Sequence, residues 1–567
     1  MIKAIAVSEG IVISKVFKID GLNLKIKRKY ISDTQKEIKR FEESVVYSSN
    51  QIEILRQTAL KRFGSDKAEI FEAHLLVIQD PELYNQVKNL IIEEKVTAEY
   101  ALLKVRNNFI DIFSAMEDNT YMQERAFDIK DTTNRALAYL TNQKYADLLN
   151  IKEEVIIIAN DLSPSETVLL DKKYVKGIIT NIGGRTSHAA IITRSLSIPC
   201  IVGANDITNK CVDNDVVVLD AIEGKIFINP SDILINEYNE KITGYNEHLE
   251  IVKQYKDKQT ITKDNHKIKI CANIEGTRDL SKVINYGAEG IGLFRTEFIY
   301  MENMSLPTEE EQFKIYKDVL SSTTNSVIMR TLDIGGDKNL PYLNLDEEIN
   351  PALGYRAIRM CLDKKELFKT QLRALLRASI YGELKIMFPM ISLVEELFEA
   401  KQLLKEVELE LIKEGFEIKE YQVGMTVEVP SAAILADHFA KHIDFFSIGT
   451  NDLIQYTFAA DRLNQKVSYF YQPLHPSVLR LIKYVIDCAH KENKIVAMCG
   501  EAASDINVIP ILVGFGLDEF SMSPALIPAS RFLISKLNKN ELSKLSNQFL
   551  LCETSEEVMG LITEKFK

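Results

Sequence analysis

Residues 267–298, KIKICANIEGTRDLSKVINYGAEGIGLFRTEF, pass from a short apolar strand through a polar turn and a helical stretch into a second short strand. The same rhythm continues to the end of the chain, with short apolar segments SVIMRTLDIG, LKIMFPMI, QVGMTVEVPS, DFFSIGTND, KIVAMCGE and DEFSMSP separated by helix-period stretches. Eight strands alternating with helices over about 300 residues predict a TIM (β/α) barrel. Nearly every strand ends in a polar or reactive residue: Asn273, Arg295, Arg330, Glu428, Asn451 with Asp452, Cys499, and Ser521 with Ser523. In a barrel those ends gather on one face, where active sites are built.

The residue types at these ends suggest a chemistry. Arg295 and Arg330, with Arg462 in AADRLN, offer three guanidinium forks for a small, highly charged anion such as a phosphate ester, although any one of them alone reads more readily as a structural ion pair. Glu428 and Asp452 are suited to one hard divalent cation, Mg²⁺ above all, that also takes substrate oxygens and water; without a phosphate they would instead partner the arginines. Cys499, beside Gly500, fits a nucleophile or a general acid, and a small buried apolar residue is the bland alternative.

A second reactive stretch lies at residues 180–195, TNIGGRTSHAAIITRS. A Gly183-Gly184 turn runs through Arg185, Thr186 and Ser187 to His188 and then into an apolar helical run, so the histidine sits where a helix begins. Free backbone N–H groups and the helix dipole favour an anion there, and a neutral imidazole is a nucleophile near neutral pH. The sharp reading is a phosphorylated histidine; the ordinary one is a helix N-cap with a neighbouring exposed ring.

The remaining chain frames these two stretches as an α/β multidomain protein. Residues 1–20 read as strands around Ser8-Glu9-Gly10 and join residues 146–229, rich in short apolar strands such as EEVIIIAND and DVVVLD, in one compact α/β unit carrying His188. Residues 21–145 are long, charged, helix-period segments poor in Gly and Pro, an inserted helical bundle broken by the QDPEL turn. Within it Ile70, Phe71, His74, Leu75 and Ile78 share one helical face, for core packing or for a partner. Residues 230–262 form a charged helical linker and 263–567 the barrel. A reactive histidine on such a compact unit suggests a part that moves.

Composition narrows the function. A net charge of −12 argues against nucleic acid or an anionic membrane as the main partner, so an anionic substrate needs a locally basic pocket. Seven scattered cysteines without a CxxC pair suggest a reducing compartment, and with no signal peptide or apolar run of membrane-spanning length a cytoplasmic protein is expected, not inserted in a membrane.

Taken together, GGRTSHAAI, GLFRTEF, RTLDIGGDK, NPALGYRAIR, VEVPSAA, FSIGTNDLIQYTFAADR, MCGEAA and FSMSP closely resemble, in order and from end to end, the Enzyme I family of the bacterial phosphoenolpyruvate:sugar phosphotransferase system. The resemblance implies that His188 becomes phosphorylated on Nε2 by phosphoenolpyruvate, with Thr167 of DLSPSET orienting its ring. It implies that Arg295, Arg330 and Arg462, with Asn451 and Asp452, bind the substrate, that Glu428 and Asp452 hold Mg²⁺, and that Cys499 protonates the enolate to pyruvate. It further implies transfer to the phosphocarrier protein HPr docked on the helical insertion, and a homodimer formed through the barrel. Tyr355, Ser8 and Ala189-Ala190 depart from residues common in the family, and none carries the chemistry. The related alternatives are a pyruvate phosphate dikinase or phosphoenolpyruvate synthase, which loads its histidine from ATP, and a regulatory phosphotransferase paralogue.

Overall fold

The computed structural model of the 567-residue chain describes all residues except 20, 23–24, 64, 115–119, 144–147, 149–150, 185–186, 197, 302, 304, 336–339, 344, 347, 463, 465 and 567. The chain divides into two compact units, Met1–Glu247 and His248–Lys567.

In the first unit, strands β1 (Ile2–Lys3), β2 (Ile5–Ser8) and β3 (Ile11–Ile19) precede five helices, and β4 (Val155–Ala159), β5 (Val175–Thr180), β6 (Cys200–Val202), β7 (Val216–Asp220) and β8 (Lys225–Ile228) follow them. All eight strands form one sheet in the order β1-β8-β7-β3-β4-β5-β6-β2. The helices therefore interrupt the sheet in sequence and not in space: β3 pairs in parallel with β4, from Lys15 opposite Val155 to Ile19 opposite Ala159. Strand β4, VIIIA, is buried at every residue, as a central strand covered on both faces must be.

The inserted helices are α1 (Thr34–Phe63), α2 (Ser65–Ile78), α3 (Pro81–Glu94), α4 (Ala98–Ser114) and α5 (Thr120–Leu140). The QDPEL turn restarts the chain as α3 because Asp80 accepts from the N–H groups of Glu82 and Leu83 while Pro81 fills a position that has no N–H to satisfy. Apolar residues one turn apart, Leu83, Val87 and Ile91, then face inward. The bundle's apolar core is continuous with Leu169, Leu170, Ala189 and Ala190 of the sheet unit. Three more helices, α6 (Pro164–Val168), α7 (His188–Leu196) and α8 (Ile207–Lys210), lie between the later strands, and α9 (Asp232–Lys253) crosses the boundary between the units.

The linker helix stops at Lys253, short of the end of the charged segment. Just beyond it, the fully buried Arg531 donates to the carbonyls of Tyr255, Lys256 and Gly287, to Thr260 Oγ1 at 3.0 Å and to Glu289 Oε1 at 3.2 Å. Five acceptors around one guanidinium fasten residues 255–260 to the second unit in place of further helix.

The second unit is a closed barrel of eight parallel strands in sequence order, β9 (Lys269–Ile274), β10 (Ile291–Arg295), β11 (Val327–Arg330), β12 (Leu384–Phe388), β13 (Gln422–Val427), β14 (Phe445–Ile448), β15 (Ile495–Met498) and β16 (Glu519–Met522), with β16 pairing back onto β9. The period-2 alternation of a strand sorts the side chains: Leu293, Ile328, Met387, Phe445 and Cys499 form a small cluster of their own, while their neighbours Phe294, Met329, Ile386 and Phe446 join the core shared with the surrounding helices. Every segment expected to be a barrel strand contains one.

Candidate active site

Register brings the first two arginines together, since Arg295 and Arg330 are direct partners at the ends of β10 and β11. Arg295 donates from Nη1 to Glu275 Oε1 at 2.8 Å and stays partly exposed. Arg330 is more enclosed and spans two carboxylates, Glu297 Oε2 and Asp333 Oδ2, each at 3.1 Å. Burial opposes its charge, but Glu297, Asp333 and Glu428 outweigh that and hold the guanidinium firmly protonated. Asp333 in turn receives Arg356 Nη2 at 2.7 Å, and the same Nη2 lies 3.8 Å from Asp452 Oδ2. Among the described residues no hydrogen-bond acceptor meets the buried Nε groups of Arg330 and Arg356, so both forks retain donor capacity.

Glu428 follows β13 and is 2% exposed, with the Met390 N–H donating to Oε1 at 2.6 Å. Burial, then Asp452 and Asp333, raise its pKa well above the ordinary carboxylate range, against the pull of Arg330 and Arg356. Gly449 makes room for it, because a Cβ there would lie 2.8 Å from Glu428 Oε2. The next residues open the helix Thr450–Phe458, which places Asn451 and Asp452 in its first turn. Asn451 Oδ1 accepts from Tyr471 Oη at 3.1 Å and from the Glu501 N–H at 3.0 Å. Arg462 is exposed on the following loop, its backbone N–H on Gln455 Oε1 at 3.2 Å, and its charge acts on Tyr471.

Cys499 stands at the end of β15, 6% exposed, with its Sγ 3.9 Å from the Ile448 carbonyl. Burial pushes the thiol above its ordinary pKa, while Ser447, Arg330 and Arg295 pull the other way. A thiol held protonated is a proton donor rather than a nucleophile. Asn273 and Ser521, also near strand ends, tie strands together: Asn273 Nδ2 donates to the carbonyls of Cys499 at 3.0 Å and Ser521 at 3.3 Å, and Ser521 Oγ donates to Asn273 Oδ1 at 2.6 Å.

In the first unit Thr167 is fully buried on α6, its Oγ1 donating to the Pro164 carbonyl at 2.7 Å, which leaves the oxygen's lone pairs available to an imidazole N–H. Helix α6 packs against α7, and His188 is the first residue of α7. Ser187 caps that helix through the Ala190 N–H at 3.4 Å. Arg185, Thr186 and the His188 side chain lie outside the described part of the structure. His74 is a core residue, 1% exposed and edge-on to Phe71.

Three families match along the chain: "PEP-utilising enzyme, N-terminal" over residues 3–125, "PEP-utilising enzyme, mobile domain" over 151–224 and "PEP-utilising enzyme, PEP-binding domain" over 250–539. The phosphoenolpyruvate-protein phosphotransferase of Staphylococcus carnosus (strain TM300) is 50% identical over 568 residues, covering 100% of this chain and 99% of its own. That of Bacillus subtilis (strain 168) is 50% identical, covering 100% of both. That of Mycoplasma capricolum subsp. capricolum is 50% identical over 564 residues, covering 99% of this chain and 98% of its own. The chain belongs to the phosphoenolpyruvate-protein phosphotransferase family.

As a phosphoenolpyruvate-protein phosphotransferase it is an enzyme of phosphoryl transfer, and its barrel mouth carries more charged groups than strand ends alone revealed. Glu297, Asp333 and Arg356 were missed because they follow strands or sit in a long loop; their signal was membership of GLFRTEF, RTLDIGGDK and NPALGYRAIR. Among the described residues no three His, Cys, Asp or Glu side chains form a metal-ligand set. Glu428 and Asp452 nevertheless fit Mg²⁺, which uses one or two carboxylates and fills its remaining positions with water and phosphate oxygens. Two neighbouring carboxylates, one fully buried and unfavourably charged there, are the donor set such a cation would relieve. Among the described residues no helix is long and apolar enough to cross a membrane.

Proposed function

We propose that this enzyme takes the phosphoryl group of phosphoenolpyruvate onto Nε2 of His188 and passes it to HPr, releasing pyruvate, as the first step of sugar uptake by the phosphotransferase system. The arginine and carboxylate cluster at the barrel mouth, beside a buried protonated thiol, carries this reading. Arg295, Arg330 and Arg462, with Asn451 and Asp452, bind the phosphate and carboxylate of the substrate and hold phosphorus in line with the attacking nitrogen. The new N–P bond forms as the P–O bond to the enol oxygen breaks. The enolate then takes the Cys499 Sγ proton on its terminal carbon, giving pyruvate, and the thiolate regains a proton from water. Mg²⁺ on Glu428 and Asp452, when bound, supplies charge neutralisation of the phosphate. Thr167 orients the His188 ring.

The same reading assigns residues 1–20 with 146–229 as the swivelling phosphohistidine domain, 21–145 as the HPr-binding bundle, 230–262 as the linker and 263–567 as the substrate-binding and dimerising barrel, in a cytoplasmic homodimer. Six of the seven cysteines are buried and all seven are unpaired, in keeping with a reducing compartment. Mass spectrometry after incubation with phosphoenolpyruvate and Mg²⁺, with and without HPr, tests the scheme: one phosphate on the peptide carrying His188 is expected, lost when HPr is added and absent in His188→Ala. Label persisting on another residue would sink it.

A further inference from the structure

A buried polar cluster between the bundle and the start of α6 is not used by the reaction above. At its centre is Asp131 of α5, 6% exposed. Its Oδ2 accepts from Ser165 Oγ in a close contact and from Ser163 Oγ at 3.4 Å. The two hydroxyls also lie 3.2 Å from each other, and Ser165 is fully buried. On the bundle side His74 of α2 brings Nδ1 to 3.9 Å from the same Asp131 oxygen and Nε2 to 3.3 Å from Asp128 Oδ1. Ser163 and Glu166 complete a capping box at the start of α6.

The cluster differs from the joint made by Arg531, where one cation is ringed by three carbonyls, a hydroxyl and a carboxylate. Here a buried carboxylate on the bundle accepts from two hydroxyls at the start of α6, charge-assisted bonds that join the two elements directly. A second carboxylate sits beside it: burial and then Asp131 itself raise the pKa of Glu166, with Arg135 opposing. The apolar core already joins bundle and sheet, so mere cohesion does not require this charged contact. What it adds is direction. Ser165 is two residues from Thr167, and α6 packs against both α2 and α7.

We propose that Asp131 is a positioning residue for the hand-over step: by holding Ser163 and Ser165 it docks α6, with Thr167 and the start of α7, against the bundle. The inference rests on the two-step reading above.

Ser165→Ala and Asp131→Ala, made in the full chain, separate the two half-reactions; Ser165→Ala is the smaller change should Asp131→Ala disturb the bundle. Rapid quench with ³²P-labelled phosphoenolpyruvate gives the loading rate, and mixing purified phosphoenzyme with HPr gives the transfer rate. Transfer is expected to fall about tenfold or more, the scale of a lost charge-assisted hydrogen bond, while loading stays at the wild-type rate or rises. Equal losses in both half-reactions, or unchanged transfer in both variants, overturn the proposal. Failure of the wild-type chain to be labelled, or to label HPr, is instead failure of the underlying reading, and it is visible before any variant is made.

Discussion

Arg295 donates to Glu275 Oε1 at 2.8 Å, so one of the two paired arginines of β10 and β11 is neutralised at rest by a carboxylate from the turn after β9. In the proposed reaction the substrate's anion competes with that carboxylate for the guanidinium. Because both side chains are partly exposed, the pair is weak, and Glu275→Gln is expected to lower the KM for phosphoenolpyruvate by roughly twofold to fivefold with little change in kcat. Steady-state kinetics at low ionic strength measures it; a raised KM would assign Glu275 to substrate binding instead.

Arg330 is the opposite case, enclosed and shared between Glu297 and Asp333. Arg330→Met leaves Glu297 buried beside Asp333 without that cation, and breaking a buried pair costs about 3–5 kcal/mol. Arg330→Lys keeps the charge but not the fork that spans both carboxylates. Calorimetry should rank the unfolding temperatures wild type, Lys, Met, with kcat/KM lost in both variants.

Cys499→Ala should slow pyruvate formation by about 10²–10⁴-fold, the range for a lost general acid, while calorimetric binding of phosphoenolpyruvate stays near wild type. The pKa of the buried thiol is raised, so it keeps its proton through the ordinary thiol range near about 8.5. Turnover should therefore show no loss attributable to this group up to that pH, only above it. Unchanged pyruvate formation in Cys499→Ala would remove it from the chemistry.

Asp264 supplies a stability test away from the mouth. Its carboxylate accepts from Thr262 Oγ1 at 2.6 Å and from the N–H groups of Asn540 at 2.9 Å and Lys539 at 3.0 Å. Burial would raise its pKa, but those donors outweigh burial and hold it down to about 2. A depressed carboxylate stabilises the fold above its ordinary pKa of 3.8 and loses that contribution as pH falls through about 2. Asp264→Asn should lower the unfolding temperature by about 1–3 °C at pH 7, and the gap should narrow as pH falls below 4. A gap unchanged at low pH would assign the loss to packing.

The eight barrel strands could be read from the chain because each is a short apolar run closed by a polar residue and followed by a helix. The strand-end rule also set the limits of that reading. It points to Arg295, Arg330, Glu428 and Cys499, and equally to Asn273 and Ser521, whose polar atoms join the ends of β9, β15 and β16. It missed Arg356, which reaches Asp333 and Asp452 from a loop whose path no periodicity encodes. The Asp131–Ser165 contact was equally hidden, since it joins segments 34 positions apart that belong to different periodic patterns. The helical face carrying His74 reads from sequence as core or as docking surface, and at 1% exposure the His74 side chain belongs to the core.

The closing pair of the barrel, β9 with β16, sets an order of events during synthesis. No closed barrel exists until residues 519–522 have left the ribosome, whereas the last strand of the first sheet, β8, ends at Ile228. Domains folding as units from the N-terminus would therefore complete the histidine-bearing half while the catalytic half is still an open, exposed sheet. Truncation late in translation should yield a well-folded first unit attached to an aggregation-prone remainder, so the nascent chain's vulnerable period falls on the barrel.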